Sequence, residues 1–305
     1  MKSLPLITII GPTACGKTSR GVDIAKRLNG EIISADSRQV YRGMDIGTGK
    51  DLDEYDGVPY HLIDIVPAGY KYNLYEYVRD ARKALADISG RNRQPILVGG
   101  TGLYVETLLK GLALPEVPRN NELRDELAHK SLDELAQILA GMKQLHNVTD
   151  LDSRQRAIRA IEIATFYSLH PELAPVAGNS TPIPSVIIHI EIDRETRRQR
   201  IDRRLAQRLE SGMVDEVKKL LESGVTPEQL TYYGLEYKFL TEYVTGHLSY
   251  SQMVNELNIA IHQFAKRQET WFRGMERRGF KLHHLPYNMD KEEFVSRVLE
   301  IADRY

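Results

Sequence analysis

The sequence predicts an α/β fold, with a mainly parallel sheet core, a helical insertion and a helical C-terminal region. Three observations carry that expectation. Short apolar runs alternate with amphipathic helical segments through the first third of the chain, the arrangement of a doubly wound sheet. A glycine-rich turn joins the first apolar run to the first helix. The prolines of Leu114-Pro115-Glu116-Val117-Pro118 then mark a change, and 120–168 reads as helices with no intervening strand. The division that follows is an α/β core over 1–116 and 185–305, with a helical insertion over 117–184.

Leu6-Ile7-Thr8-Ile9-Ile10 reads as a buried strand. The next helix, from Arg20 to Leu28, places Gly21, Ile24, Ala25 and Leu28 on one face. Between them lies Gly11-Pro12-Thr13-Ala14-Cys15-Gly16-Lys17-Thr18, a match to G-x-x-x-x-G-K-[ST] in the strand–loop–helix setting that phosphate loop requires. Such a loop turns backbone N–H groups inward around an anion, and the helix N-terminus adds donors and partial positive charge. Gly11 to Thr18 is therefore the expected loop for a di- or triphosphate-like group, in a P-loop NTPase-like core. Lys17 brings a full charge to the phosphates, and the Thr18 hydroxyl is suited to hold Mg²⁺.

Asn29-Gly30 reads as a helix C-cap, and Glu31–Ala35 as a strand ending at Asp36-Ser37-Arg38-Gln39. A carboxylate there lies on the sheet edge where ligands bind. Asp36 accordingly reads as a turn cap, a metal ligand through water, or a general base. The stretch from Tyr41 to Tyr60 has no clear period and reads as a surface or lid loop; Tyr60–Ile65 reads as a short strand, with His61 structural. Leu74, Tyr77, Val78, Ala81, Leu85 and Ile88 share a helical face ahead of the strand at Pro95–Val98. Gly99-Gly100-Thr101-Gly102 follows, with Thr101 either an N-cap, a group facing substrate, or both. Pro171–Pro184 reads as a loop and Ser185–Ile192 as a strand. The remainder reads as helical. Ser249 and Gln252 have capping-box spacing, and Val254, Leu257, Ile261 and Phe264 form the apolar stripe of a long final helix.

Composition fits a globular protein: 305 residues, 42% hydrophobic and 27% charged, with a net charge of −1. No apolar run approaches the roughly 18–20 residues of a membrane span. The first strand follows Met1–Pro5 directly, so no signal peptide is expected. The lone cysteine, Cys15, excludes an intramolecular disulfide, and a cytoplasmic location follows. The near-neutral total hides three basic groups: Arg154, Arg156 and Arg159; seven arginines from Arg194 to Arg208; and Lys266, Arg267, Arg273, Arg277 and Arg278. One such group usually means a solvated helix face. Three in a phosphate-loop chain point to an anionic partner.

With these residues in view, the chain resembles the tRNA dimethylallyltransferases, or tRNA isopentenyltransferases, nearly end to end. The resemblance rests on Gly11–Thr18, the stretch from Asp36 to Thr48, Val98–Tyr104, Gly212–Val217 and Ala265–Arg273. It departs from the family at Gly47-Thr48-Gly49-Lys50-Asp51, where Gly-Thr-Ala-Lys-Pro is usual, and at Asp152-Ser153, where Asn-Asp is usual. The chain ends without a zinc-finger extension of the eukaryotic type, which suits a bacterial member.

The resemblance implies transfer of a dimethylallyl group from dimethylallyl pyrophosphate to N6 of adenine 37 in tRNA, with Mg²⁺ as cofactor. It implies Asp36 as general base, Thr101 beside the reacting groups, and Lys17 and Arg204 on the departing pyrophosphate. It places Asp36, Ser37, Arg38, Gln39, Thr101, Gln155, Arg156, Arg159, Tyr233, Gly234, Lys266, Arg267, Gln268 and Trp271 against the tRNA anticodon stem-loop. A monomer acting without a membrane is expected. Three rivals stay open: a P-loop kinase, an adenylate isopentenyltransferase acting on free nucleotides, and a nucleotide-switched RNA-binding module.

Overall fold

The computed structural model describes residues 5–112, 114, 116–142, 149–151, 153–174 and 181–305. Asp152 and 175–180 of the expected loop lie outside them. The chain forms two compact units, one from residues 1–111 and 182–305, the other from 112–181.

In the first unit, β1 (Leu6–Ile10) is buried along its length and runs through the glycine loop into α1 (Lys17–Leu28). Asn29 closes that helix in a left-handed conformation, its N–H bonded to Ala25 O. β2 (Gly30–Ser34), β3 (Tyr41–Arg42), β4 (Tyr60–His61) and β5 (Val66–Pro67) follow. A capping box between Asn73 and Glu76 opens α2 (Leu74–Gly90), which buries Tyr77, Val78, Ala81, Ala84 and Ile88. Then come β6 (Gln94–Gly99) and α3 (Gly102–Leu109).

The second unit is helical: α4 (Asn121–Leu127), α5 (Leu132–Met142) and α6 (Arg154–Leu169) pack Leu127, Leu135, Leu139, Ala157, Ala160 and Ile161 together. Within it Glu162 is buried, yet it accepts from Asn120 N at 2.7 Å and pairs with Arg124 and Arg159. The two guanidiniums and the backbone N–H outweigh the burial that would raise its carboxyl, which lies at about 2.

The first unit resumes at β7 (Ser185–Glu191), followed by α7 (Arg194–Glu210), α8 (Met213–Glu222), α9 (Pro227–Tyr232) and α10 (Leu235–Val244). Ser249 and Gln252 form the expected capping box at the start of α11 (Tyr250–Arg277). Its buried stripe is Met253, Leu257, Ile261, Ala265, Phe272 and Met275. Phe264, expected in that stripe, is exposed with the Arg267 guanidinium 5.8 Å from its ring centre. The C-terminal region is not wholly helical either: β8 (Leu282–Pro286) precedes α12 (Lys291–Ala302). β8 is an edge strand, where a proline and two histidines cost little, and that composition hid it.

The main sheet has the order β4-β2-β6-β1-β7-β8, parallel throughout. β1 sits inside it, with Ile7 opposite Ile96 on one side and Val186 on the other. Burial on both faces explains why these strands read as continuous apolar runs. β3 and β5 form a separate parallel pair.

The stretch from Tyr41 to Tyr60 departs from the expected surface loop over its first half. Tyr41, Met44, Gly47, Gly49 and Lys50 are buried. Lys50, 1% exposed, donates to Tyr41 O at 2.7 Å and pairs with Asp45 and Asp64. Glu216 of α8 accepts from the N–H groups of Asp45, Ile46 and Gly47 at 2.7, 2.7 and 3.0 Å. Two of the family-like blocks thus hold each other, and the apparent loop is a clamped segment.

Candidate active site

The carboxyl ends of β1, β2 and β6 lie side by side, and each leads into residues singled out from sequence. From β1 the phosphate loop turns into α1 through Ala14 (φ 63°) and Gly16 (φ 89°). Gly16 takes that left-handed turn without the Cβ penalty. Lys17 folds back onto the loop, its Nζ donating to Pro12 O at 2.6 Å. Cys15 is buried, and burial raises its thiol, so it is a packing group rather than a nucleophile.

From β2 and β6 come Asp36, Ser37 and Thr101. Thr101 N donates to Ala35 O at 3.1 Å. The Thr101 hydroxyl accepts from Ser37 N at 3.1 Å and lies 3.4 Å from Ser37 Oγ. Thr101 stands at the N-cap of α3, as the sequence allowed, but its hydroxyl makes no cap hydrogen bond to that helix. Asp36 Oδ1 accepts from Arg38 N at 2.9 Å, which aims the carboxylate at a fixed angle beside Thr101.

The α7 arginines face the loop across a cleft of about 750 Å³. Lys17, Thr18, Arg200, Arg203, Arg204 and Arg208 line it, with Asp51, Glu54 and Glu210 as its carboxylates. Arg200 Nε donates to Ala14 O at 2.7 Å, tying α7 to the phosphate loop. Arg204 and Arg208 both pair with Asp51, Arg208 at 3.4 Å. Burial works to raise the Asp51 carboxyl, and the two guanidiniums outweigh it, holding it low. Burial raises the Glu54 carboxyl, and Asp51 beside it adds to the shift. Arg208 Nε is buried with no hydrogen-bond partner among the described residues. An orphan guanidinium donor beside a phosphate loop fits an anionic ligand. A Cβ on Gly49 (φ 64°) would lie 1.7 Å from Arg208 Nη2, so glycine here is what lets that arginine reach Asp51.

The other residues named from sequence fall into two sets. Arg38 carries its guanidinium 5.7 Å from the Tyr232 ring, next to Gly234. Lys266 and Arg267 are exposed on α11. Trp271, 37% exposed, lies against Gly102 with Arg278 5.5 Å from its ring. Gln155 and Arg156 lie in the first turn of α6 in the helical unit, both exposed. In contrast, Gln39 is interior, bonded to Ser34 Oγ and Gly49 O. Gln268 is buried and bridges Thr13 N (2.8 Å) to Gly100 O (2.9 Å), locking the phosphate loop to the end of β6. Tyr233 is buried, its hydroxyl accepting from Gly69 N and donating to Tyr70 O. Arg159 is clasped by Glu162 and Val117 O. Arg200 and Arg208 were read from sequence only as members of a basic group, and Asp51 only as a departure from the family pattern, not as site residues. The signal was the four-residue spacing Arg200, Arg204, Arg208, which places three guanidiniums on one helical face.

Residues 39–275 match the family described as IPP transferase, and residues 4–56 match that described as isopentenyl transferase. The chain belongs to the IPP transferase family. Over 307 residues it is 56% identical to tRNA dimethylallyltransferase 1 of Parabacteroides distasonis, covering 99% of each chain. It is 56% identical over 300 residues to tRNA dimethylallyltransferase 2 of Porphyromonas gingivalis, covering 97% of this chain and 98% of that one. Among solved structures it superposes on the full-length tRNA isopentenylpyrophosphate transferase of Bacillus halodurans with TM-score 0.70 and 34% identity, over 99% of this chain and 95% of that one. A eukaryotic dimethylallyltransferase acting on tRNA gives TM-score 0.77 at 25% identity, over 93% and 74%. The parallel sheet around the phosphate loop is thus the IPP transferase core. Among the described residues no helix is long and apolar enough to cross a membrane.

Proposed function

We propose that this chain transfers a dimethylallyl group from dimethylallyl pyrophosphate to N6 of the adenine just 3′ of the anticodon in tRNA, releasing pyrophosphate. The observation that carries the reading is the pairing of two features on one sheet edge. A phosphate loop faces an arginine-lined cleft, and beside it stand a fixed carboxylate and hydroxyl, Asp36 and Thr101.

The N6 amine attacks C1 of the dimethylallyl group. The carbon–oxygen bond breaks, and its electron pair leaves with pyrophosphate. Lys17, the loop N–H groups and Arg204 stabilise the charge that builds on that leaving group, with Arg208 beside them. The exocyclic amine is a weak nucleophile because its lone pair is delocalised into the purine. Asp36 takes the N6 proton as the new carbon–nitrogen bond forms, and Thr101 orients the reacting groups. Thr18, an oxygen donor lining the cleft, fits a hard divalent cation such as Mg²⁺. When bound there, that ion would offset part of the pyrophosphate charge.

An adenine stacked in the anticodon loop must turn out to reach Asp36. Ser37 and Arg38 flank that point. Lys266, Arg267 and Trp271, with Gln155 and Arg156 of the helical insertion, supply the tRNA contacts. Gln39, Tyr233, Gly234, Gln268 and Arg159 act by shaping these surfaces. The enzyme works as a monomer in the cytoplasm. Mass analysis of an anticodon stem-loop incubated with protein, donor and Mg²⁺ tests the reading. One five-carbon adduct on the adenine is expected. Consumption of ATP with no adduct would favour a kinase instead.

A further inference from the structure

On the opposite side of β1 from the Asp36 pair, β7 and β8 carry a second cluster of chemically active groups. His189 and His284 are register partners on adjacent parallel strands, and Glu191 lies two residues beyond His189. Register and the two-residue period of a strand put all three side chains on one face of the sheet. Their ligand atoms lie within 4.8 Å of one another.

We propose that His189, His284 and Glu191 form a transition-metal site of the zinc class, separate from the phosphate-loop cleft. Three features of the geometry support it. First, Nδ1 of His284 lies 3.2 Å from Nδ1 of His189 and 3.1 Å from a Glu191 oxygen. Two donors about 2.05 Å from a tetrahedral metal stand about 3.3 Å apart, so these separations are the edges of such a polyhedron.

Second, each imidazole has a carboxylate behind its other nitrogen. Glu276 lies 2.9 Å from Nε2 of His284, and Glu269 lies 3.6 Å from Nε2 of His189. The Glu276 carboxylate, within hydrogen-bond reach, fixes the His284 ring and turns its Nδ1 lone pair toward a metal, while Glu269 stands beyond hydrogen-bond reach of His189. Third, His189 is 5% exposed and its Nε2 has no hydrogen-bond partner among the described residues. A buried imidazole with one nitrogen unpartnered and the other facing a second imidazole is poorly satisfied by protons alone. A cation between the Nδ1 atoms relieves it, and lets Nε2 of His189 carry the proton toward Glu269.

Two imidazole nitrogens are borderline donors that select Zn²⁺ over Mg²⁺, and zinc also accepts the single carboxylate oxygen. His284 and Glu191 are partly exposed, so a water completes the fourth position. Because β8 is an edge strand that pairs with β7 on one side, the ion would also fasten the last strand and α12 to the sheet.

The test uses the full chain freed of any affinity tag, stripped with chelator and dialysed against Zn²⁺ in excess Mg²⁺. One Zn²⁺ per chain is expected, and Co²⁺ in its place should give the intense visible bands of tetrahedral coordination. His284→Ala and Glu191→Gln should lose the tight site. Glu276→Gln, which leaves all three ligands in place, should weaken it by about 10–100-fold. Circular dichroism checks that each variant is folded, and Glu191→Gln, at an exposed position, keeps the test decisive should His284→Ala unfold. Less than stoichiometric Zn²⁺ on the wild type, or equal retention by wild type and Glu191→Gln, would overturn the proposal.

Discussion

The two ends of the parallel sheet use the same residue types in opposite ways. At the amino end, Glu31 of β2 is buried, with its side chain 2% exposed. Arg91 and Arg93, just before β6, and His61 of β4 close around it. The hydrogen bond from Arg91 leads the effects that hold this carboxyl down at about 2. At the carboxyl end the arginines exceed the pairs made with them. Arg200, Arg203, Arg204 and Arg208 crowd the cleft, and among the described residues Asp51 pairs with two of them. One end is a satisfied structural cluster, and the other has cationic donors in excess. Arginine density in a sequence does not distinguish these cases. The share of those arginines that a carboxylate answers does.

The contrast can be broken by mutation, beginning with the chemistry it frames. Asp36→Ala should bind tRNA nearly normally and lose turnover by a factor of about 10²–10⁴, measured as single-turnover adduct formation. Near-wild-type rates would remove Asp36 from the base role. Arg204→Ala should slow the same step by about 10²–10³, with a smaller effect on tRNA affinity. A pure affinity defect would instead make Arg204 a contact to the RNA backbone.

Glu31→Gln tests the other end. It leaves a neutral amide in the buried place and two partly exposed guanidiniums that water can reach, at a cost of about 2 kcal/mol in denaturant unfolding. Turnover per folded molecule should not change. The pH profile sharpens the point. Glu31 has a folded-state value of about 2 against an ordinary 4.5, so its contribution is complete above about 4.5 and fades as the pH falls toward 2. Over that window the stability gap between wild type and Glu31→Gln should narrow. Asp51→Asn should have the smallest effect. Its ion pairs are partly exposed and individually weak, so removing the competing carboxylate should tighten pyrophosphate binding only a few-fold, read by calorimetry. Weaker pyrophosphate binding would mean that Asp51 serves the ligand rather than competing with it.

Much of this arrangement was legible in the sequence, for local reasons. The strand, glycine loop and helix from Leu6 to Leu28 are specified within one short stretch. Asp36 and Thr101 could be placed because both follow apolar runs that end at a sheet edge. What escaped depends on partners distant in the chain. The segment after Tyr41 reads as a polar loop because its clamp, Glu216, lies about 170 residues away, and because Lys50 is a charge with buried counter-ions. Gln268 reads as part of a basic helix, yet its amide locks a loop 255 residues earlier. Arg159 reads as a free cation until Glu162 is seen beneath it. β8 escaped because an edge strand needs little apolar character.

In the proposed reaction the phosphate loop and its arginines grip a pyrophosphate that leaves intact. The most direct measurement uses dimethylallyl pyrophosphate carrying a heavy-oxygen label at the oxygen between C1 and phosphorus. The donor is incubated with wild-type protein, Mg²⁺ and an anticodon stem-loop, without ATP, and both products are weighed. One unlabelled five-carbon adduct on the RNA is expected for each pyrophosphate released, with all the label in the pyrophosphate. A requirement for ATP, or orthophosphate in place of pyrophosphate, would contradict it.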